Sequence, residues 1–194
     1  MNIGLYFGSF NPIHNGHLHV ALQALQQQPL DEVWLVVSPQ NPFKENSGLA
    51  AEEHRLRMAQ LACANQSNIR VSDVEFGMPK PSYTIDTLQA LSGEHPKHRF
   101  QLIVGEDNLS KFDQWKDFDL LLKEFGVIVY PRTSAVPEIP PVLVPFQTRI
   151  HFLGGELIDF SATEIRSKIR HGESIHDLVD AHVADYIKQH HLYN

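Results

Sequence analysis

Short apolar runs alternate along this chain with segments of helical period, and that alternation constrains its fold more than any other feature. A chain that repeats strand and helix in this way closes into βαβ units around a mainly parallel sheet. Residues 2–7, 32–38, 69–73, 99–104 and 126–130 read as strands. Between them, residues 17–28, 51–66 and 83–91 place apolar side chains at helical spacing, and a shorter helix is expected over 117–123. The fold class is therefore α/β, with a doubly wound parallel sheet. In such sheets the ligand crevice lies beyond the carboxyl ends of the strands, next to the helix N-termini that follow them.

Prolines 131, 137, 140, 141 and 145 exclude regular structure over residues 131–145 and predict an extended surface connection. Beyond it the chain carries a short strand at 150–153 and helices at 162–170 and 178–190, too little for an independent core. The expectation is one domain over 1–194, with a core of about 1–145 and a small helical C-terminal subdomain of about 146–194. The longest apolar runs, residues 33–37 and 126–130, are buried-strand length and fall well short of the roughly 20 residues a membrane span needs. The first residues lack a basic segment and a small-residue cleavage site, so a cytoplasmic location without membrane partners is expected. Cys63 is the only cysteine, which excludes an internal disulfide and a cysteine-built zinc site and leaves it as a small core residue. A formal net charge of −7 argues against charge-driven binding of nucleic acid. A small anionic ligand would have to be held by backbone amides, helix N-termini and a few placed cations. Self-association as a homo-oligomer stays open.

The most informative stretch is Gly8-Ser9-Phe10-Asn11-Pro12-Ile13-His14-Asn15-Gly16-His17, where the first strand ends, a tight loop comes next and a helix begins. Gly8 lets the backbone approach a ligand closely, and the helix offers unpaired amides and a positive dipole end to a phosphate. His14 and His17 bracket that anion site. Two other readings stand beside phosphate handling: histidines serving only as polar residues at a turn, and a metal site built from His14, His17 and His19. The second lacks carboxylate or cysteine partners nearby. Towards the other end, Ser161-Ala162-Thr163-Glu164-Ile165-Arg166 reads as a helix start with Ser161 as N-cap and Glu164 three residues on. Arg166 and Arg170 lie one turn apart on one face of that helix.

His14-Asn15-Gly16-His17 in this setting resembles the HxGH motif of the nucleotidyltransferase superfamily, and residues 158–166 resemble its second motif, commonly I-S-S-T-x-I-R. The resemblance implies a Rossmann-like fold and ATP contacts from Gly8, Ser9, Phe10, His14, His17, Ser161, Thr163 and Arg166. A class I aminoacyl-tRNA synthetase shares an HxGH-type motif, but this chain is too short and lacks that family's lysine-rich loop. Three further stretches are similar to the nicotinate (nicotinamide) mononucleotide adenylyltransferases. Residues 38–44 are similar to a loop in which Lys44 would reach phosphates. Pro81-Ser82-Tyr83-Thr84-Ile85-Asp86-Thr87-Leu88 is similar to a helix start that holds the nicotinate end through Tyr83 and Thr84. Gly105-Glu106-Asp107-Asn108-Leu109, leading to Trp115-Lys116, is similar to G-x-D-x-L…W-K. Gly105 and Asp107 would then meet the nucleotide. Trp115 would stack on the pyridine ring or serve as a core residue. The chain departs from the commonest pattern at Phe7, Asn11 and Phe43, where glycine, aspartate and histidine are usual.

The activity implied by that resemblance is attack of a mononucleotide 5′-phosphate on the α-phosphorus of ATP, with Mg²⁺ bridging phosphate oxygens and His14, His17 and Arg166 steadying charge. Nicotinate mononucleotide is the expected acceptor, in a step of NAD biosynthesis. Nicotinamide mononucleotide, phosphopantetheine, a cytidylyl acceptor, and a nucleotide sensor without turnover are the alternatives.

Overall fold

A computed structural model of the chain describes residues 1–39, 48–132, 138–155 and 160–194. Its strands are β1 (Asn2–Gly8), β2 (Glu32–Val37), β3 (Ile69–Ser72), β4 (Arg99–Gly105), β5 (Val127–Tyr130) and β6 (Ile150–Phe152). They pair in the order β3-β2-β1-β4-β5-β6, every neighbouring pair parallel. The helices are α1 (Asn15–Gln27), α2 (Glu52–Cys63), α3 (Thr84–Glu94), α4 (Glu106–Leu109), α5 (Phe118–Glu124), α6 (Ala162–Arg170) and α7 (Ala181–Gln189). The α/β doubly wound expectation is met, and the sequence-based elements match to within a few residues at their ends.

Successive side chains on a strand point to opposite faces, and here both faces are covered. In β2, Val33, Leu35 and Val37 join one apolar cluster with Val20 and Ala24 of α1, Met58 of α2 and Val183 of α7. Trp34 and Val36 join the other, with Leu88 of α3 and Leu121 of α5. This two-sided burial is why residues 33–37 read as an unbroken apolar run. Direction then matters: all six strands end on one side, and β1 and β4, where the strand order reverses, open the crevice between them.

The C-terminal part is built into the same body. β6 extends the sheet beside β5, while Ile165 of α6 and Ile187 of α7 are buried in the cluster that contains α1 and α2. The proline-rich stretch differs from its expectation. Pro141–Arg149 forms a 3-10 helix with Pro141 at its first turn, where a missing N–H costs nothing, and Leu143 is fully buried beneath it. A second 3-10 turn, Val74–Gly77, also went unanticipated; its Glu75 is buried and accepts a 2.8 Å hydrogen bond from the Thr87 hydroxyl. Among the described residues no helix is long and apolar enough to cross a membrane.

Candidate active site

A cavity of about 440 Å³ opens at the carboxyl ends of β1 and β4, the size of a small-molecule pocket. Its floor comes from the strand ends, including Gly8 and Gly105. A Cβ on Gly8 would lie 2.8 Å from the Phe10 ring, so this glycine makes room for the loop's own aromatic residue. Phe10 is 2% exposed, adopts a left-handed φ of 45°, and packs edge-on against His17 at 5.0 Å and Tyr6 at 5.9 Å. Such a conformation costs a non-glycine residue free energy and persists where surrounding contacts fix it. At Gly105 a Cβ would meet the Asp107 carboxylate and the Tyr130 ring.

His14 precedes α1 and stacks on His17, with ring centroids 3.7 Å apart. The His14 backbone N–H donates to His17 Nδ1 at 3.2 Å, which leaves Nε2 to carry the proton of a neutral His17 ring. His14 is buried, its Nδ1 has no hydrogen-bond partner, and burial, helped by the nearby Arg132 charge, pushes its pKa down to about 4. It is therefore neutral near pH 7 in the ligand-free protein. Gly16 and His17 place the N-terminus of α1 on the cavity wall, a partial positive charge directed at the ligand space.

A second helix N-terminus meets the first. Ser161 caps α6 by accepting a hydrogen bond from the Glu164 backbone N–H at 3.3 Å, and Ser161, Ala162 and Thr163 line the cavity. Arg166, one turn along, also lines it; its Nη1 donates to the Asn11 carbonyl at 2.8 Å and its Nη2 to the Thr163 hydroxyl at 3.3 Å. Arg170 is exposed and takes no part in the lining.

Across the crevice, Asp107 lines the wall and lies 3.6 Å from Arg132 Nε. Arg132 Nη2 donates to the Tyr130 hydroxyl at 3.0 Å, and the Tyr6 hydroxyl donates to the same oxygen at 3.3 Å. Burial, reinforced by Tyr130, raises the Tyr6 pKa well above its ordinary value, so Tyr6 remains a hydrogen-bond donor. Trp115 lines the cavity while stacking on Phe112 at 4.9 Å, so it is at once a wall and part of an apolar cluster. It comes directly after a 3-10 turn, Phe112–Gln114, rather than sitting inside a helix.

The fold thus gathers Gly8, Ser9, Phe10, His14, His17, Gly105, Asp107, Trp115, Ser161, Thr163 and Arg166 around one space. Tyr83 and Thr84 are not among the lining residues: Tyr83 is exposed at the start of α3, with Lys116 Nζ 5.0 Å over its ring. Lys44 and Phe43 lie outside the described residues. Sequence reasoning missed Tyr6, Tyr130 and Arg132. Arg132 lies just past the carboxyl end of β5, so the crevice rule could have found it. Arg55 was also missed. It is fully buried on α2 and donates to the carbonyls of Ser9, Ser38, Pro39 and Ala50 at 2.7–3.0 Å, tying the loop after β1 to the chain after β2. Nothing local in the sequence marks it.

Fold and site together define a doubly wound α/β protein built to hold a polyphosphate ligand at the point where strand order reverses. The cytidylyltransferase-like family model matches residues 5–168. A Flavobacterium johnsoniae protein named "Probable nicotinate-nucleotide adenylyltransferase" is 40% identical over 193 residues, covering 100% of this chain and 99% of that one. A Cytophaga hutchinsonii protein of the same name is 44% identical over 187 residues, covering 96% and 95%. In shape the chain is similar to Plasmodium falciparum nicotinic acid mononucleotide adenylyltransferase complexed with NaAD, at TM-score 0.80 and 23% identity over 99% of this chain and 97% of that one. The chain belongs to the cytidylyltransferase-like family and, within it, to the nicotinate-nucleotide adenylyltransferases.

Proposed function

We propose that this protein joins ATP and nicotinate mononucleotide to give nicotinate adenine dinucleotide and pyrophosphate, a cytoplasmic step of NAD biosynthesis carried out by one domain spanning residues 1–194. The observation that carries the reading is the convergence of two helix N-termini, the His14–His17 stack and Arg166 on a single cavity. Its relatives' names agree.

A 5′-phosphate oxygen of the mononucleotide attacks the α-phosphorus of ATP. The bond from that phosphorus to the bridging oxygen of the β-phosphate breaks, and pyrophosphate leaves in line. The attacking oxygen is anionic near neutral pH, so no general base is needed; positioning and charge stabilisation carry the catalysis. His17, with its proton directed to Nε2, donates to the α-phosphate as charge builds. Arg166, Ser161, Thr163 and the α6 N-terminus take the β- and γ-phosphates. Gly8, Ser9, Phe10, Gly105 and Asp107 form the nucleotide wall. Trp115 bounds the acceptor side; Tyr83, Thr84 and Lys44 are assigned to the acceptor from their sequence motifs, with Tyr83 and Thr84 lying outside the cavity lining. His14 contributes as a neutral ring that a bound phosphate draws towards its protonated form.

Among the described residues no group of three or more His, Cys, Asp or Glu side chains is placed to hold a metal ion. Mg²⁺ keeps several waters and binds through substrate phosphates with one or two carboxylates, and among the described residues Asp107 is the carboxylate that lines the cavity. Such an ion would neutralise triphosphate charge.

The test is pyrophosphate release by purified protein with ATP and Mg²⁺, offering nicotinate mononucleotide, nicotinamide mononucleotide or phosphopantetheine in parallel. Preference for the nicotinate substrate is expected. Release with another acceptor alone overturns the substrate, and no release with any of them overturns the reaction.

A further inference from the structure

Asn11 joins four segments of the chain through one side chain and one carbonyl. Its Nδ2 donates to the Gly48 carbonyl at 2.9 Å. Its Oδ1 accepts from the Ala50 backbone N–H at 3.0 Å and from the Tyr193 hydroxyl at 2.8 Å. The partners settle which end of the amide is which, because Gly48 presents a carbonyl and Ala50 an N–H. Its main-chain carbonyl, meanwhile, accepts from Arg166 Nη1. The residue is 7% exposed, and burial raises the pKa of the Tyr193 hydroxyl, which therefore stays a donor.

We infer that Asn11 is a positioning residue for the adenylyl transfer proposed above: its side chain clamps residues 48–50 and Tyr193, so that its carbonyl holds Arg166 directed at the phosphates. The clamp needs an amide. An aspartate, as in the commoner form of the motif, would set a carboxylate oxygen against the Gly48 carbonyl at 2.9 Å, where neither group has a proton to give. The asparagine at position 11 thus suits this pairing to residues 48–50, and Arg55 makes a second tie through Ser9 and Ala50. Tyr193 is outside the cavity lining and joins the clamp through its hydroxyl bond to Asn11 Oδ1, with the Arg166 and Arg55 charges nearby.

The experiment compares Asn11→Asp, Asn11→Ala and Tyr193→Phe with the unsubstituted protein, each first shown to be folded by thermal unfolding. Two readouts are taken: calorimetric affinity for inorganic tripolyphosphate, which needs no turnover, and kcat and KM for ATP in pyrophosphate release. Losing the clamp is expected to weaken tripolyphosphate binding about tenfold in both Asn11 variants and about threefold in Tyr193→Phe, with KM for ATP rising in step. A folded Asn11→Ala protein that binds tripolyphosphate normally overturns the inference, and so does an effect confined to Asn11→Asp, which would be added negative charge beside Arg166. No tripolyphosphate binding by the unsubstituted protein overturns it as well. If that protein binds tripolyphosphate but releases no pyrophosphate, the adenylyl-transfer reading fails while the binding comparison still decides the role of Asn11.

Discussion

Two stacked histidine pairs sit at opposite ends of the same sheet. His14 and His17 lie beyond the carboxyl end of β1 with ring centroids 3.7 Å apart, and His95 and His98 precede the amino end of β4 with centroids 5.3 Å apart. Each pair contains one buried Nδ1 without a hydrogen-bond partner, on His14 and on His98. The surroundings differ. The first pair shares a cavity with two helix N-termini, Arg132 and Arg166. In the second, His95 caps the C-terminus of α3, where unpaired carbonyls place partial negative charge, and both rings pack edge-on against Trp34. Residue type is therefore a weak guide to function; the polarity of a parallel sheet decides which histidines meet an anion.

The sharpest test sets one pair against the other. His17→Ala is expected to lower kcat by about a hundredfold, the scale of losing a preorganised donor, whereas His95→Ala should leave kcat within about twofold. Equal losses in two folded variants would break the comparison. Arg166→Ala comes next: removing charge-assisted bonds to phosphate should raise KM for ATP about tenfold or more, read from initial rates at varied ATP. Arg132 offers a related check, since replacing it by methionine removes one of the two causes that lower the His14 pKa. That pKa should then move up from about 4, as followed by NMR titration of the imidazole.

The pH dependence of stability tests the environment of His14 in a different way. The His14 pKa is lowered in the folded protein, so between its unfolded value near 6.5 and about 4 the unfolded chain binds more protons. Stability from this group is present above pH 6.5 and is lost as pH falls through that window, by about 1–2 kcal/mol between pH 6.5 and 5. Urea unfolding at several pH values should show this slope in the natural protein and a flatter one in His14→Gln. An unchanged slope would show that His14 is not held neutral. Smallest of all, His98→Ala should cost about 0.5–1 kcal/mol through lost contact with Trp34, with no change in kcat/KM.

Much of the frame was legible in the sequence because it rests on local pattern. Residues 33–37 are apolar at every position since both sheet faces are covered, and residues 161–170 carry their cap and period within themselves. The loop from Gly8 to His17 could be read for the same reason, as strand, turn and helix start in one run. Arg132 was hidden by its neighbours: prolines drew attention to residues 131–145 as a connection, yet the arginine sits at a strand end. The Pro141–Arg149 helix escaped because a proline at a first turn looks, in sequence, like a proline in a loop.

The sequence by itself determined the order and type of the elements, the end of the sheet at which a ligand must bind, and two motifs suited to phosphate. All of these rest on periodicity and on backbone groups that every helix start exposes. Tertiary structure alone decided the rest. Arg166 reaches the carbonyl of a residue 155 positions away, Tyr193 reaches the same residue across 182, and Arg55 gathers four carbonyls from two loops. A carbonyl is present at every residue, so no sequence pattern records which one a distant side chain will find; only the packed sheet brings them together.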